Sequence, residues 1–484
     1  MRLPLILATV GGLWCAVALQ AGEAQDVGPL WLRAEPFAAG STGERLPFWL
    51  SANRYGTVDP ASANVGVRLG AYRPFRNKSG LDYAIGAEVL GRASQNGTVT
   101  LHQLYGRLRY GGVQLTVGRR EQMRGRVDTS LSVGSTTWSR NAPPLPKISV
   151  SSDGYVPVPG IENTLALKSS LAHGWFEDDR FTRNALLHEK SLYLRLRPSG
   201  WPVTAHAGVA HHAIWGGTNP LRGPQEVSLR QWANVALGLN IFTRPTQTDE
   251  ESDRIDANHV AMYDFGLDVN LGAWKARAYR QFYIEDSPGL WFRNVWDGLW
   301  GLSLRWDDSA LVSGVLWEHL RTTRQGSRPD LGESRGADGY YDHFKYKDGW
   351  TYQGRTLGTP LLTPASRTPG FRNGLPSIAN NIVVAHHLGI EGQLGTRLSY
   401  QLLGTYSRNY GARGKVCETP RCESTTSWRP GRLDQWSFRV EVRGRVPPVE
   451  GLSYNAAVAV DTGEFYDRRI GVRVGLTWRG FYAP

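Results

Sequence analysis

The chain has 484 residues but only three cysteines and three methionines. Cys15 sits inside the N-terminal apolar run, so an exported form would keep only Cys417 and Cys422. These flank Glu418-Thr419-Pro420-Arg421 in a polar stretch. In an oxidising compartment a disulfide between them is the expected state. A zinc site would need a further cysteine or an adjacent histidine, and neither is there. Long apolar runs are also missing after the first 24 residues, so nothing there reaches the ~18–20 residues of a spanning helix. Membrane entry by the rest of the chain would require a closed barrel, in which every backbone group finds a partner. Length alone suggests about three domains at roughly 150 residues each. No Ser/Gly-rich spacer, charge block or low-complexity tract divides the sequence to support that split. Catalytic signatures are absent too. There is no Gly-x-Ser-x-Gly elbow, and His188-Glu189 lacks the second histidine of the zinc-protease pattern. His211-His212 and His386-His387 are adjacent pairs, which a strand would point to opposite faces. No enzymatic activity, cofactor or metal is expected.

What is present begins with an export signal. Met1-Arg2 supplies a positive end, Leu3 to Ala18 an apolar core, and Gly22-Glu23-Ala24 a small-residue cleavage site. Residues 1–24 read as a signal peptide and 25–484 as one domain. The C-terminal stretch then shows strict alternation. Trp436, Phe438, Val440 and Val442 share one parity, with Ser437, Arg439, Glu441 and Arg443 on the other. After Pro447-Pro448 the pattern returns in Leu452–Asp461, and again in Ile470–Arg479. A period of two gives each strand one apolar and one polar face. A sandwich buries the apolar face, whereas a membrane barrel turns it to lipid and keeps the charges in the lumen.

The connections decide between these. About eighteen strands can be read, most near the ~9–11 residues of a tilted outer-membrane strand. Tight turns at Gly111, Ser199–Pro202, Gly272, Asp307–Ser309, Gly395 and Val446–Glu450 follow even-numbered strands. Long connections at 119–146, 216–257, 321–380 and 411–431 follow odd ones. The expected fold is therefore all-β: a transmembrane outer-membrane barrel with long extracellular loops. A lipid-facing arginine costs roughly 2–4 kcal/mol at the midplane, so Arg107, Arg195, Arg439 and Arg473 should face inward, where they either pair with acids such as Asp264, Asp268, Glu441 and Asp461 or line an anion path. Leu46–Gly56 breaks the rhythm and reads as a short helix or small plug, and Leu229–Phe242 as a helix within a loop. The net charge of +12 suits acidic glycans or lipid phosphates at a cell surface, rather than nucleic acid. Sugar binding uses flat aromatic faces and polar forks. The loops offer Trp138 with Arg140, Trp291 with Arg293, and Tyr346, Trp350 and Tyr352 with Arg355. Each of these aromatics could instead pack loops into the lumen.

Several stretches together resemble the capsule assembly protein Wzi family. They are Leu46-Pro47-Phe48-Trp49-Leu50 with Asn53-Arg54-Tyr55-Gly56, Ser139-Arg140-Asn141-Ala142-Pro143-Pro144-Leu145-Pro146, and Leu187-His188-Glu189-Lys190. Trp215-Gly216-Gly217, Ser287-Pro288-Gly289-Leu290, Asp297-Gly298-Leu299-Trp300, Tyr346–Gln353 and Leu357-Gly358-Thr359-Pro360 follow in order. The resemblance implies an eighteen-stranded outer-membrane barrel of a Gram-negative bacterium. It also implies a lectin-like role in holding capsular or extracellular polysaccharide at the cell surface, with outer-membrane lipid around a monomer. The family's N-terminal helical bundle has little room here before the first strand, so any plug is reduced or moved to Leu46–Asn53. A porin-like channel or an export conduit for the polymer is the alternative.

Overall fold

The computed structural model describes residues 30–482, apart from 78–79, 96, 163, 239–256, 286, 307–309, 326–338, 369–377, 417–423 and 429–430. The expected signal peptide, the Asp307–Ser309 turn and the Cys417/Cys422 pair lie outside the described residues.

The strands are β1 (Leu30–Arg45), β2 (Ala61–Arg73), β3 (Asp82–Ala93), β4 (Gly97–Tyr110), β5 (Val113–Arg119) and β6 (Lys147–Ser152). Next come β7 (Leu165–Trp175), β8 (Leu186–Leu196), β9 (Val203–Trp215), β10 (Ala257–Leu271), β11 (Trp274–Ile284) and β12 (Gly298–Trp306). The last six are β13 (Gly314–Arg321), β14 (Val383–Leu394), β15 (Leu398–Asn409), β16 (Leu433–Arg445), β17 (Leu452–Gly463) and β18 (Arg469–Tyr482). Each pairs antiparallel with its neighbours in sequence, and β1 pairs with β18 from Leu30↔Tyr482 to Ser41↔Gly471, which closes the ring. Val156–Pro157 pairs with β7 just beyond β6 and continues that strand, so the barrel has eighteen strands.

Orientation follows from the parity of the sequence. Val65, Leu69, Leu192, Leu194, Phe438, Val440, Val472, Val474 and Leu476 are all exposed on the outer wall. Arg68, Glu88, Asp264, Arg439, Glu441 and Arg473 are buried on the inner face. A wall of exposed valine and leucine around a charged interior is stable only with acyl chains as its solvent. No described helix is long and apolar enough to cross a membrane. The strands span it instead.

Connections after even strands include the tight turns 111–112, 272–273 and 395–397. Those after odd strands include 120–146, 216–256 and 322–382. The sorting has exceptions, since 94–96 and 464–468 are short connections on the loop side. The first strand runs on to Arg45, and its inner residues Phe37 and Ala39 pack on Leu46 and Leu50 of the plug. The predicted helix in the 216–256 connection is α2 (Leu229–Leu237), capped by the Ser228 side chain and stopped by Gly238 in the left-handed region. It lies against the outer wall, with Val235 beside Ala213, Trp215 and Ala257. The plug helix α1 (Phe48–Ser51) is a single turn.

Candidate functional site

The loop-side half of the lumen is filled by the chain itself. Segment 46–60 folds inward from β1, and 120–146 threads beside it. Leu46 and Leu50 pack on Phe37, Val58 and Leu90, while Trp49 joins the main core. The inner wall holds both segments by polar anchors. Asp461 accepts from the Phe48 amide at 2.9 Å, and Trp49 Nε1 donates to Thr405 Oγ1 at 3.1 Å. Glu318 accepts from the Val133 amide and the Ser132 hydroxyl, both at 2.7 Å. His387 Nε2 lies 2.7 Å from the Leu131 carbonyl. Asn53, Tyr55 and Gly56 take positive φ and turn the plug back on itself. A Cβ on Gly56 would stand 2.6 Å from the Pro143 ring, so only glycine fits that turn.

Residues 339–368 pack over this layer. The Trp350 indole donates to the Thr137 carbonyl at 2.7 Å and crosses the Trp138 ring edge-on at 6.0 Å. The Ser139 amide donates to Leu357 O at 2.6 Å, and Asn141 Nδ2 to Thr356 O at 3.0 Å. The Ser-Arg-Asn-Ala-Pro-Pro stretch and the Leu357-Gly358-Thr359-Pro360 stretch are therefore two sides of one packed joint.

Beneath the plug, on the turn side, lies a cavity of about 860 Å³. Its lining holds eight arginines (Arg33, Arg54, Arg68, Arg140, Arg443, Arg445, Arg473 and Arg479) against four glutamates (Glu35, Glu121, Glu441 and Glu450). The acids are shared. Glu441 meets Arg54 at 2.9 Å and Arg443 at 2.8 Å. Glu35 meets Arg33 and, at 3.2 Å, Arg473. Arg68 lies 2.6 Å from both Glu88 and Glu121. It thereby bridges the two carboxylates of the Glu88–His102–Glu121 group, whose ligand atoms lie close enough together for a metal. Burial, with Arg54 and Arg443 nearby, holds the Arg140 guanidinium below the usual arginine range. Burial pushes the Tyr55 phenol up to about 12.

The residues proposed from sequence are separated by this architecture. Trp138, Tyr346, Trp350 and Tyr352 come together in one buried core. Tyr346 donates to Gly216 O at 3.2 Å, and buried Arg355 donates to the Ser51 and Val58 carbonyls. Arg140 points away from that core and lines the cavity. Trp291, 72 % exposed, and Arg293 sit in the β11–β12 loop. Phe292 between them stacks on Tyr263 of the outer wall at 5.1 Å. The expected pairing of inner charges holds in part: Arg439 lies 3.6 Å from Glu441, Arg473 takes Glu35, Asp461 takes Arg469 at 2.8 Å, and Asp268 takes Arg126 and Arg277, whereas Arg195 and Asp264 form no ion pair among the described residues. Sequence reasoning did not foresee that Arg33, Arg54 and Arg68 converge with Arg443 and Arg473. Inward parity was the available signal, but it gives no distance between strands far apart in sequence.

An eighteen-stranded barrel with an apolar outer wall and a self-plugged lumen defines an outer-membrane β-barrel protein. The sequence profile of the capsule assembly protein Wzi family matches residues 50–366, about two-thirds of the chain. The chain belongs to that family. Among solved structures, it is similar to Wzi of Escherichia coli, at 15% sequence identity and a TM-score of 0.55. That match covers 92% of this chain and 83% of the other. The Escherichia coli protein is described as an outer-membrane protein involved in group 1 capsule assembly and as a carbohydrate-binding β-barrel. OccK3 (OpdO) of Pseudomonas aeruginosa aligns at 12% identity over 94% of this chain and 96% of its own, with a TM-score of 0.48. A comparison with curated protein sequences gave no match.

Proposed function

We propose that this protein is a non-catalytic barrel that binds capsular or extracellular polysaccharide and aids its assembly or attachment at the cell surface, acting as a monomer in outer-membrane lipid. The packing of the loop-side lumen carries this reading. Trp49, Leu131, Tyr340, Tyr341, Tyr346 and Trp350 are all essentially inaccessible there, which suits a rigid scaffold better than an open pore. Family membership and the carbohydrate binding described for Escherichia coli Wzi support it. In this reading Trp138, Tyr346, Trp350, Tyr352 and Arg355 are the frame that fixes the loops. Trp291 and Arg293 offer an aromatic face and a cation at the loop rim, the pairing that sugars use. The test is polysaccharide retention by cells whose own copy is deleted and replaced by wild type or by Trp291→Ala/Arg293→Gln. Wild type restores cell-bound polymer, and the double variant sheds more into the medium. Normal retention in the deleted strain, or large steady openings of the purified protein in planar bilayers, would replace binding with a channel role.

A further inference from the structure

The cavity under the plug has properties that a surface lectin does not require. Its lining carries twice as many arginines as glutamates. Three of the four glutamates are already shared among the inner arginines. Arg140, Arg445 and Arg479 have no carboxylate partner among the described residues, although all three line the cavity. Arg473 is 4% exposed, yet its Nε has no acceptor, and the Nε atoms of Arg33 and Arg54 are buried in the same condition. Buried donors without acceptors are costly unless something supplies the oxygen. The turn 446–451 forms one edge of the lining. That turn joins β16 to β17 on the side of the short connections, so the cavity lies towards the periplasmic mouth. Its volume falls within the ~300–1,000 Å³ of ordinary small-ligand sites, enough for a short stretch of sugar chain.

We propose that this cavity binds a carboxylate-bearing segment of an acidic glycan, reached from the periplasmic side of the barrel. The inference deepens the polysaccharide reading and rests on it for the glycan scaffold alone. The charge requirement comes from the arginines. Planar guanidinium forks bind carboxylates in two-point fashion, and a partly enclosed cationic cavity attracts anions more strongly than an open surface does. Arg140, the least exposed of the three, would meet the carboxylate, with the exposed Arg445 and Arg479 guiding it in from the mouth.

The test is calorimetric titration of the purified full-length barrel in detergent with an oligogalacturonate, with maltohexaose as the neutral probe and inorganic phosphate as the small-ion probe. The acidic oligomer is expected to bind at least tenfold more tightly than the neutral one, with affinity falling as salt rises. The Arg140→Gln/Arg445→Gln/Arg479→Gln variant should bind it at least tenfold more weakly. Arg230→Gln, on the outer-wall helix α2, should leave affinity unchanged. The three arginines hold no acid, so their loss strands no buried carboxylate, and retained heat-modifiable migration on gels confirms a folded barrel. Equal binding of acidic and neutral oligomers, binding of phosphate alone, or full affinity in the triple variant would each overturn the proposal. Sidedness is read with the barrel reconstituted in one known orientation in vesicles, where oligogalacturonate should bind only when added on the turn side. None of these failures touches cellular polysaccharide retention, so the lectin reading is judged separately.

Discussion

At the scale of single residues, the lumen is organised by acids that hold the plug in place. Asp128 accepts from the Ser130 and Leu131 amides at 2.9 Å and from Arg305 Nη2 at 2.8 Å. Burial works to raise its pKa, but the Leu131 amide and Arg305 outweigh it and hold the carboxyl below the usual range. A folded value below the unfolded one gives stability that is complete above the unfolded pKa of about 3.9 and is lost as pH falls through the folded value. Asp128→Asn should therefore lower the melting temperature at pH 7, by a cost of about 1–3 kcal/mol. The difference from wild type should shrink below about pH 4, where the wild-type carboxyl also takes up its proton. Melting curves in detergent at pH 7 and at pH 3 check this. Equal gaps at both values would mean that the charge of Asp128 is not what anchors the segment.

At the scale of elements, the plug is a joint between segments that are distant in sequence. Trp350 fits against Thr137, Trp138 and Phe176. Removing such a buried aromatic costs roughly 3–5 kcal/mol. Trp350→Ala should leave the barrel assembled while making residues 339–368 susceptible to trypsin and raising conductance in planar bilayers. Protease resistance equal to wild type would show that the layer is held elsewhere. Gly56→Ala tests the turn below it. An alanine there meets both the left-handed backbone penalty, about 1–2 kcal/mol, and the Pro143 ring. Its melting temperature should drop, and a variant that also carries Pro143→Ala should recover part of the loss.

At the scale of the whole molecule, the two faces of each strand live in different solvents. Val474 is exposed on the lipid wall, and its neighbour Arg473 is buried in the lumen. Val474→Arg should cost about 2–4 kcal/mol, read as a lower denaturant midpoint for unfolding from lipid vesicles. The same substitution at a turn-side position such as Val449, exposed between β16 and β17, should be near neutral. Equal costs at both sites would argue against an acyl environment for the outer wall. The basic lumen and the apolar wall are parts of one design, because arginines barred from lipid must gather inside, where they create the cationic cavity.

The barrel follows from the residue pattern alone. The alternation in Trp436–Val442 and Ile470–Trp478 sets which face meets lipid, because strand side chains have a period of two whatever their partners. The breaks at Leu46–Gly56 and Arg119–Pro146 marked the segments that leave the wall, since proline-rich stretches cannot join a central strand. What those segments do depends on long-range packing. Trp138, Trp350 and Tyr352 carry the residue types of a sugar site, but local sequence does not encode whether a loop tip turns outward or folds into the lumen. That choice belongs to long-range contacts such as Trp350 with Thr137 and Arg355 with Ser51. The arginine cavity was likewise hidden, because ring closure brings Arg33 of β1 beside Arg479 of β18, and no reading of spacing along the chain measures that distance.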